Sequence, residues 1–525
     1  MAVVPVMCLL LLAGAAGATL RFASYYTDHM VLQKEPAGAV VWGYGQPGAA
    51  VALSLARDGA VVMKKMAQVK EPSGTWKVIL DPMAHGGPYA LMAEQRSENL
   101  TLQDIYFGDV WLCSGQSNMA MTVLQVVNAS KELAAAARYP YVRVFATAPA
   151  RSDTELEDLV RVDVPWSVPT AGILGHGNFT YFSALCWLFG RYLYETLRYP
   201  VGLLESAWGG TPIEAWSSPR ALRACGLQED AARFSPHEHL SGPQAPSVLW
   251  NAMIHPLLNV TLRGIAWYQG EANAFVHTDL YNCTFPALVA DWRQAFHAGS
   301  AGQTEPLLPF GFVQLAPYRR QSPDDGFARL RWHQTADVGF APNPRMPRTF
   351  MAVAADLGDE RSPYGSIHPR DKQSVARRLL LGARAVAYGE KGLVFQGPYP
   401  TRATGDATGD LLNVTYNQEL VWHRRVERAF EVCCSSQLPL APCQWVPAPV
   451  VAVESRRVTL TLAGCGAPAL GLRYAWAEWP CEYQACALYN GQGLPAPPFR
   501  TDALPGSREP FSTSLHLPLV FPGGM

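Results

Sequence analysis

Between residues 104 and 391 the sequence alternates continuous apolar runs with amphipathic stretches, and this alternation restricts the possible folds more than any other feature. The apolar runs are Val110–Cys113, Val201–Leu204, Gly264–Tyr268, Phe310–Leu315 and Phe350–Ala355. The helices predicted between and after them are Ala184–Leu197, Phe285–Phe296 and Ser374–Tyr388. Strands that are apolar on both faces and alternate with helices form a parallel sheet covered on both sides. The pattern therefore predicts an α/β domain over residues 104–391.

The regions on either side of this domain have a different pattern. Residues 19–103 contain short β-prone runs separated by Gly-Pro and Gly-Gly turns, which predicts an N-terminal β-sandwich. Residues 392–525 are again β-prone and contain many cysteines and prolines. The length of 525 residues agrees with about two or three domains. Within the α/β domain, the polar segment from Ser217 to Pro246 is expected to form a long excursion.

The first 18 residues have the pattern of a secretory signal peptide. Val3–Leu12 is a short apolar run, and Ala15–Ala18 supplies the small residues that are typical of a cleavage site. We therefore expect the mature chain to begin near Thr19 and to enter the secretory pathway. No later run is long and apolar enough to suggest a transmembrane helix, so no integral membrane segment is expected.

Sequons and cysteines agree with a secretory route. Six Asn-x-Ser/Thr sequons predict N-glycosylation, at Asn99, Asn128, Asn178, Asn259, Asn282 and Asn413. Six cysteines lie in the C-terminal region, namely Cys433, Cys434, Cys443, Cys465, Cys481 and Cys486. Because no Cys-x-x-Cys pair occurs there, disulfides are favoured over a zinc site.

Composition argues against two classes of partner. The formal net charge is -1 at pH 7 and no long run of one sign occurs, whereas a nucleic-acid-binding protein needs a basic surface. The same charge pattern gives no polybasic segment for attachment to a membrane surface. Hydrophobic residues make up 49% of the chain and charged residues 16%, which is typical of an ordered globular protein.

Polar motifs follow four of the five apolar runs. Ligands bind beyond the carboxyl ends of the strands in an open parallel sheet, so these motifs are expected to meet at one edge. They are SGQSN at Ser114–Asn118, ESAWGGTPIEAW at Glu205–Trp216, QGEAN at Gln269–Asn273 and DLGDERSPYGSIHPRD at Asp356–Asp371. Together they bring to one place a serine, a double glycine, amide side chains with an acid, and a histidine flanked by acids.

This combination of groups fits acyl transfer by a serine. A serine hydroxyl is a weak nucleophile that needs a base within hydrogen-bonding reach, and histidine suits this because its ordinary pKa is about 6.5. The tetrahedral oxyanion needs preorganised N–H donors, which backbone and side-chain amides can supply. The rival α/β-hydrolase fold uses a Gly-x-Ser-x-Gly turn, and Met119 breaks that pattern here.

The four motifs, in this order, closely resemble those of the sialate O-acetylesterase family of SGNH-type esterases. The matching sequences are GDVWLCSGQSNM, SAWGGTPIEAW, WYQGEAN and SIHPRDKQ, and the resemblance extends into the flanking β-rich regions. It implies an α/β fold with a flavodoxin-like SGNH hydrolase core and the removal of O-acetyl groups from sialic acids, particularly at the 9-position. It also implies a lysosomal or secreted glycoprotein.

The resemblance implies roles for individual residues. Ser117 matches the nucleophile and His368 matches the base. The oxyanion hole is expected to consist of the backbone of Ser117, the backbone of Gly209 and the side chain of Gln269. Gly210 and Asn273 are the alternatives for the last two positions.

The acid that would support the histidine is not assigned by the resemblance. Many relatives carry an aspartate three residues before the histidine, but Gly365 occupies that position here. We favour Asp359 in the loop before His368, with Asp356 at the end of the strand as the alternative. A Ser–His dyad supported by a backbone carbonyl also stays open.

Other polar and aromatic residues near the motifs receive less direct roles. Glu271 is expected to be a buried supporting acid, and His255 a structural residue, because it precedes the third apolar run. His237–His239 lies in the polar excursion without a paired ligand motif, so we expect no functional metal there. Among the tryptophans, Trp216 is the best candidate for stacking against a sugar.

The sequence thus predicts a metal-independent serine esterase that needs no cofactor and acts on O-acetylated sialic acids or sialoglycoconjugates. One alternative is an acetylesterase that acts on another carbohydrate. A second alternative, from a different class, is a catalytically silent glycan-binding protein that uses the β-rich regions.

The sequons generate a prediction about mass. Removing N-glycans enzymatically from protein secreted by animal cells should lower its apparent mass in denaturing electrophoresis, because several sequons are expected on exposed loops. Protein made in the bacterial cytosol is the control and should not shift. Equal mobility of the secreted protein before and after treatment would contradict the secretory interpretation.

Overall fold

The computed structural model describes residues 19–227, 240–406, 409–423, 426, 428–434, 444–466 and 468–502. The predicted signal peptide, residues 1–18, lies outside the described residues, and so does His237–His239.

The N-terminal region is built from β-strands, as predicted. Those described are β1 (Arg21–Phe22), β2 (Val31–Gln33), β3 (Val40–Tyr44), β4 (Ala50–Arg57), β5 (Ala60–Gln68), β6 (Thr75–Ile79), β7 (Gly86–Gln95) and β8 (Glu98–Gly115). Strands β1, β3 and β6 form a three-stranded antiparallel sheet. Strands β4, β5 and β7 form antiparallel pairs that lead to β8, and β2 pairs with β8 in parallel.

A mixed sheet forms the centre of the molecule. Besides β8 it contains β9 (Val142–Thr147), β10 (Val162–Ser167), β11 (Val201–Ala207), β12 (Gly264–Tyr268), β13 (Phe310–Gln314) and β14 (Thr349–Val353). The order is β10-β9-β11-β8-β12-β13-β14, and neighbours are parallel except for β10 with β9. Each predicted apolar run overlaps one of these strands, so the α/β prediction is confirmed.

Helices follow the strands at the predicted places. The described α-helices are α1 (Ser117–Ala120), α2 (Ala129–Ala135), α3 (Ala171–Leu174), α4 (Ala184–Leu197), α5 (Ile213–Trp216), α6 (Pro219–Ala224), α7 (Tyr281–Gly299), α8 (Gly326–His333) and α9 (Lys372–Val386). The three helices expected from the sequence correspond to α4, α7 and α9. Side chains cap two of them, because Ser183 accepts from a backbone N–H of α4 and Asp371 from one of α9.

Helices α4 and α7 cover opposite faces of the central sheet. On one face the Trp111 ring meets Phe189 of α4 edge-on, with ring centroids 5.0 Å apart. On the other face the Trp267 ring meets Trp292 of α7, with centroids 5.5 Å apart. Side chains alternate along a strand, and Trp267 pairs in register with Ser114, which is three residues from Trp111 and therefore on the opposite face.

Strand β8 joins the N-terminal region to the central sheet. Its first half pairs with β7, and its second half, from Asp109 to Gly115, lies between β11 and β12. The boundary predicted between residues 103 and 104 therefore falls inside this strand. One continuous hydrophobic core includes residues from Leu20 to Ala387, so the two regions share their packing.

The C-terminal region is β-rich, as predicted, and has a core of its own. Its described strands are β15 (Pro400–Gly405), β16 (Leu411–Tyr416), β17 (Val421–Trp422), β18 (Phe430–Cys434), β19 (Gln444–Pro447), β20 (Val450–Glu454), β21 (Arg457–Thr461), β22 (Ala469–Tyr474), β23 (Leu488–Tyr489) and β24 (Phe499–Thr501). They form sheets in the orders β15-β16-β21-β20, β17-β23 and β19-β18-β22-β24. The buried Arg331 side chain of α8 donates to the carbonyls of Ala477 and Glu478 and so attaches this region to the α/β domain.

Disulfides occur in both the central and the C-terminal regions. The pairs among the described residues are Cys113–Cys186, Cys225–Cys283, Cys434–Cys465 and Cys481–Cys486. The last two confirm the prediction of disulfides near the C-terminus, while Cys443 lies outside the described residues. Within the described ranges, no helix has the length and apolar character that crossing a bilayer requires.

The sequons differ in exposure. The side chains of Asn99, Asn128 and Asn178 are exposed, whereas the other three sequon asparagines are half-buried, namely Asn259, Asn282 and Asn413. The exposed three are therefore the best candidates for glycosylation.

Candidate active site

The four polar motifs meet at one edge of the central sheet, as predicted from the strand ends. They surround a cavity of about 500 Å³. Its lining includes Gln116 and Ser117 from the first motif, Gly209 from the second, Glu271 from the third and His368 from the fourth. The cavity thus lies beyond the carboxyl ends of β8, β11 and β12, where a parallel sheet binds its ligands.

Ser117 is presented by a tight turn at the end of β8. Gly115 has a φ of +144°, and a Cβ atom there would lie 2.1 Å from the carbonyl oxygen of Tyr268. Only glycine allows the two strands to approach so closely at this point. The next residue, Gln116, donates its backbone N–H to the same Tyr268 carbonyl over 3.0 Å, and α1 begins at Ser117. The nucleophile candidate is therefore anchored directly to β12.

His368 is hydrogen-bonded to Ser117. The Nε2 atom of His368 lies 2.8 Å from Ser117 Oγ, and its Nδ1 atom lies 2.7 Å from the backbone carbonyl oxygen of Tyr364. A carbonyl can only accept, so Nδ1 carries the proton and Nε2 accepts from the serine hydroxyl. Burial and the nearby charge of Lys372 lower the pKa of His368, although the Tyr364 carbonyl opposes them. The neutral imidazole is therefore favoured.

The loop before His368 forms a turn that brings the Tyr364 carbonyl to the ring. Gly365 has a φ of +87°, in the region that favours glycine, and its N–H donates to the Ser362 carbonyl over 3.1 Å. The His368 N–H donates to the Gly365 carbonyl over 2.9 Å, and Ser362 Oγ donates to the His368 carbonyl over 2.7 Å. Gly365, three residues before His368, therefore forms a turn and offers no acid to the ring.

Asp359 does not contact His368 in this structure. Its two carboxylate oxygens accept from Nε and Nη2 of Arg370, over 2.6 and 3.1 Å. Burial alone would raise the pKa of Asp359, but its hydrogen bonds to Arg370 outweigh this and hold the pKa below its usual value. A planar guanidinium binds a carboxylate with two parallel bonds, which explains why the carboxylate faces Arg370. The geometry found is the Ser–His pair with a backbone carbonyl.

Asp356, the alternative acid, is fully buried and also engaged elsewhere. Its carboxylate accepts from two nitrogens of Arg378 in α9, over 2.6 and 2.9 Å, and from the Tyr489 hydroxyl over 3.0 Å. It therefore ties the end of β14 to α9 and to the C-terminal region.

Ser117 and Gly209 lie side by side at the wall of the cavity. A Cβ atom added to Gly209 would be 3.2 Å from the Ser117 Cβ, so the two residues are in contact. Neither the Ser117 nor the Gly209 N–H has an acceptor among the described residues. Gly210 also lines the cavity, but it has a φ of +68° and packs against Ser241, which suits a turn.

The side-chain amide expected from the third motif faces away from the cavity. Gln269 is fully buried, and its Nε2 donates to the Thr211 carbonyl over 3.2 Å and to Asn273 Oδ1 over 2.8 Å. Asn273, the alternative, donates from Nδ2 to Glu214 over 3.0 Å and to the Val276 carbonyl over 3.4 Å. Both amide groups use both hydrogens, so neither has one left for an oxyanion.

Gln116 supplies a side-chain amide at the cavity that sequence reasoning missed. Its Oε1 accepts from the backbone N–H groups of Gly270 and Ala272, over 3.3 and 3.2 Å. The Nε2 atom of the same amide group is therefore left as a free donor, because no described residue accepts a hydrogen bond from it. Its position directly before Ser117 was the available signal.

A buried polar cluster lies behind the Ser117–His368 pair. Asn118 Nδ2 donates to Glu271 Oε1 over 2.6 Å and to the Ile367 carbonyl over 2.8 Å, and Lys372 Nζ donates to Asn118 Oδ1 over 2.7 Å. Burial raises the pKa of Glu271 to about 7. Glu271 thus lies beside the pair as a buried acid without touching His368.

The tryptophan and histidine side chains outside the Ser117–His368 pair differ in whether they reach the cavity. Trp216, the expected sugar platform, is fully buried and packs edge-on against Trp267, so it does not reach the cavity. Trp208 is half-buried and lines the cavity instead. His255 contacts the Leu156 carbonyl over 2.8 Å, away from the site. No group of three His, Cys, Asp or Glu side chains in the described ranges is arranged to hold a metal ion.

Family models match two parts of the chain. The model described as "Carbohydrate esterase, sialic acid-specific acetylesterase" matches residues 107–362, which run from the second half of β8 to beyond β14. The model described as "Sialate O-acetylesterase C-terminal domain" matches residues 401–503.

Whole-chain relatives agree with these matches. The chain is 56% identical to the sialate O-acetylesterase of Homo sapiens, covering 94% of this chain and 95% of that protein, and 55% identical to that of Mus musculus, covering 92% and 95%. Among solved structures, a carbohydrate acetylesterase from Xanthomonas citri is similar with a TM-score of 0.75 and 30% identity, covering 92% of this chain and 100% of that one. The chain belongs to the sialate O-acetylesterase family.

Proposed function

We propose that this protein is a serine esterase that hydrolyses O-acetyl esters of sialic acids to sialate and acetate. The observation that carries the proposal is the hydrogen bond between Ser117 Oγ and His368 Nε2 at the wall of the cavity. The activity named for relatives that are 55–56% identical over nearly the whole chain supports the substrate class.

We also assign the central domain to the flavodoxin-like SGNH hydrolases. Support comes from the parallel strands β11-β8-β12-β13-β14. When β9, a further parallel strand beside β11, is left out, their order numbered along the chain is 2-1-3-4-5, which is the order of flavodoxin-like sheets. The disulfides fit an oxidising compartment, in agreement with a lysosomal or secreted glycoprotein.

In the proposed mechanism Ser117 and His368 carry out two acyl transfers. Ser117 Oγ attacks the acetyl carbonyl carbon while His368 Nε2 takes the hydroxyl proton. When the tetrahedral intermediate breaks down, the sugar oxygen leaves with that proton and the acetyl group stays on Ser117. Water then attacks the acetyl-serine, giving its proton to His368, and acetate leaves as the proton returns to Ser117 Oγ.

The Tyr364 carbonyl takes the place that a carboxylate has in a triad. It accepts the Nδ1–H of His368, which keeps Nε2 free to act as the base. Because a carbonyl is neutral, it stabilises the imidazolium less than an aspartate does. We therefore assign a Ser–His dyad and give Asp359 the separate task of holding Arg370 within the loop.

The oxyanion would receive hydrogen bonds from three groups beside Ser117. We assign the backbone N–H groups of Ser117 and Gly209 and the side-chain Nε2 of Gln116. The Gln116 oxygen is held by two backbone N–H groups, so the donor is oriented before substrate arrives. Donors fixed in this way stabilise the developing charge without reorganisation.

The charge around the cavity favours an ester at the 9-position. Its lining contains Glu271 and, within the described ranges, neither lysine nor arginine. The 9-oxygen ends the glycerol side chain of sialic acid and is distant from the sugar carboxylate. An acetyl group there can reach Ser117 while the carboxylate stays outside the cavity.

Replacing the nucleophile tests the proposed reaction. Ser117→Ala should lower acetate release from 9-O-acetylated N-acetylneuraminic acid by about 10⁴-fold or more, because the attacking oxygen is lost. Ser73→Ala, at an exposed turn, is the control and should keep full activity. A folded Ser117→Ala protein with near-native turnover would refute the assignment. Acetate release from acetylated xylan but not from the sialate would favour another carbohydrate, and release from neither would favour a binding protein.

The dyad assignment predicts a small effect for Asp359→Asn. Its kcat should stay within about 10-fold of the unchanged protein, whereas replacing the aspartate of a Ser-His-Asp triad in this way costs about 10⁴-fold. Steady-state kinetics with the acetylated sialate provide the measurement. A loss of about 10³-fold or more, with the fold retained, would restore Asp359 as the supporting acid.

The oxyanion assignment predicts a large effect on kcat for Gln116→Glu. The new side chain keeps an oxygen for the Gly270 and Ala272 N–H groups but removes the donor, so kcat should fall about 10²–10³-fold with KM little changed. Gln303→Glu is a matched control, because Gln303 Oε1 also accepts a backbone N–H, that of Gly38, far from the cavity. Equal kcat values for the two variants would contradict the role of Gln116.

A further inference from the structure

Lys372 is a fully buried lysine that takes no part in the mechanism described above. It is the first residue of α9, and its Nζ donates to Asn118 Oδ1 and to the Pro369 carbonyl, each over 2.7 Å. The Tyr268 ring lies under the ammonium group, with its centroid 5.3 Å from Nζ. A buried ammonium group is costly unless it is hydrogen-bonded in this way, so its presence beside the active site requires an explanation.

Asn118 is the centre of the contacts around Lys372. Its Nδ2 uses one hydrogen for Glu271 Oε1 and the other for the Ile367 carbonyl, and its Oδ1 accepts from Lys372. This pattern fixes the orientation of the amide, since a reversed side chain would face the ammonium group with its own N–H groups. Asn118 itself is 1% exposed, so its hydrogen bonds are protected from water.

The positions of these contacts along the chain are informative. Asn118 follows Ser117 directly, and Ile367 and Pro369 are the residues on either side of His368. Lys372 and Asn118 therefore connect the turn that carries the serine with the loop that carries the histidine. These two segments are 251 residues apart in sequence, and their polar side chains must meet within 2.8 Å.

We propose that Lys372 is a positioning residue for the esterase reaction: it fixes the His368 loop to the Ser117 turn through Asn118 and Pro369, and it holds a positive charge behind His368. The proposal rests on the proposed function, because it assumes that Ser117 and His368 are the reacting pair. The proposal adds that one buried cation, Lys372, controls both the geometry of the Ser117–His368 pair and the pH range in which the enzyme is active.

The charge of Lys372 acts on His368 in a definite direction. Burial lowers the pKa of His368, and the Lys372 charge lowers it further. Burial also lowers the pKa of Lys372 to about 7, although Glu271, Asp371 and Asp359 act in the opposite direction. The ammonium form therefore predominates below about pH 7, the range in which the acidic limb lies. Removing the ammonium group should raise the pKa of His368. Because the base must be unprotonated, the acidic limb of the pH–rate profile would then move to higher pH. Lys372 thus extends activity toward acidic pH, which suits a lysosomal enzyme.

The test compares Lys372→Met and Lys372→Arg with Lys391→Met, an exposed lysine, using 4-nitrophenyl acetate as the substrate. Lys372→Met should lower kcat about 10-fold or more through misplacement of the pair, with KM within about twofold. Its acidic limb should move up by at least about half a pH unit. Lys372→Arg keeps the charge, so its acidic limb should stay in place, and Lys391→Met should match the unchanged protein.

Two results would overturn the proposal. One is a Lys372→Met protein with an unchanged kcat and acidic limb, and the other is a lower kcat with the acidic limb unmoved, which indicates a structural effect alone. If Lys372→Met does not fold, Lys372→Gln carries the test. This variant keeps hydrogen-bond donors for Asn118 Oδ1 and the Pro369 carbonyl but removes the charge, so the acidic limb should again move up, and an unmoved limb overturns the proposal. Activity on 9-O-acetylated sialate, measured in parallel on the unchanged protein, separates failure here from failure of the proposed function.

Discussion

The pairing of strand β8 with β11 and β12 positions the serine turn and the motifs around it. Along its 18 residues this strand belongs first to the N-terminal sheet and then to the central sheet. Its register against β12 places Gly115 beside Tyr268, where a Cβ atom has no room. The serine turn can therefore leave the sheet in one direction, and the motifs after β11 and β12 are brought around it.

His368 reaches this edge on a loop that is held by local hydrogen bonds and ion pairs. The turn at Gly365, the Asp359–Arg370 ion pair and the Asp356–Arg378 ion pair all lie between β14 and the first turns of α9. The two acids considered as partners of His368, Asp356 and Asp359, are each paired with an arginine, so the histidine is left with a neutral carbonyl as its partner. In our interpretation, the positive charge behind it comes from Lys372 and the oxyanion donors come from the serine side. Orientation and charge are thus supplied by different groups instead of by one carboxylate.

Burial gives this arrangement its electrostatic properties. Glu271, Asn118 and Lys372 lie together under the cavity, and each is almost fully removed from water. Charges there are poorly screened, so a single ammonium group influences the histidine more than a surface lysine would. The C-terminal region contributes to the same edge, because Tyr489 reaches Asp356 and Tyr483 donates to Asp371, which caps α9. A region outside the central domain therefore helps to hold the helix that carries Lys372.

Five strands of the central sheet, the helices α4, α7 and α9 and the meeting of the motifs at one edge could be predicted from the sequence. Apolar runs and helical periodicity depend on local patterns, and the ends of parallel strands necessarily share an edge. Ser117 and His368 follow from that placement. Which of the neighbouring side chains face the cavity depends on contacts between segments that are distant in sequence. Gln269 and Gln116 are both amides at strand ends, but hydrogen bonds to Thr211 and Asn273 turn the first away. Asp359 is close to His368 in sequence, but its carboxylate binds Arg370 through two hydrogen bonds. The position of Lys372 depends on the packing of α9 against Asn118. Competition between hydrogen-bond partners is settled by packing in three dimensions, and sequence spacing does not record it.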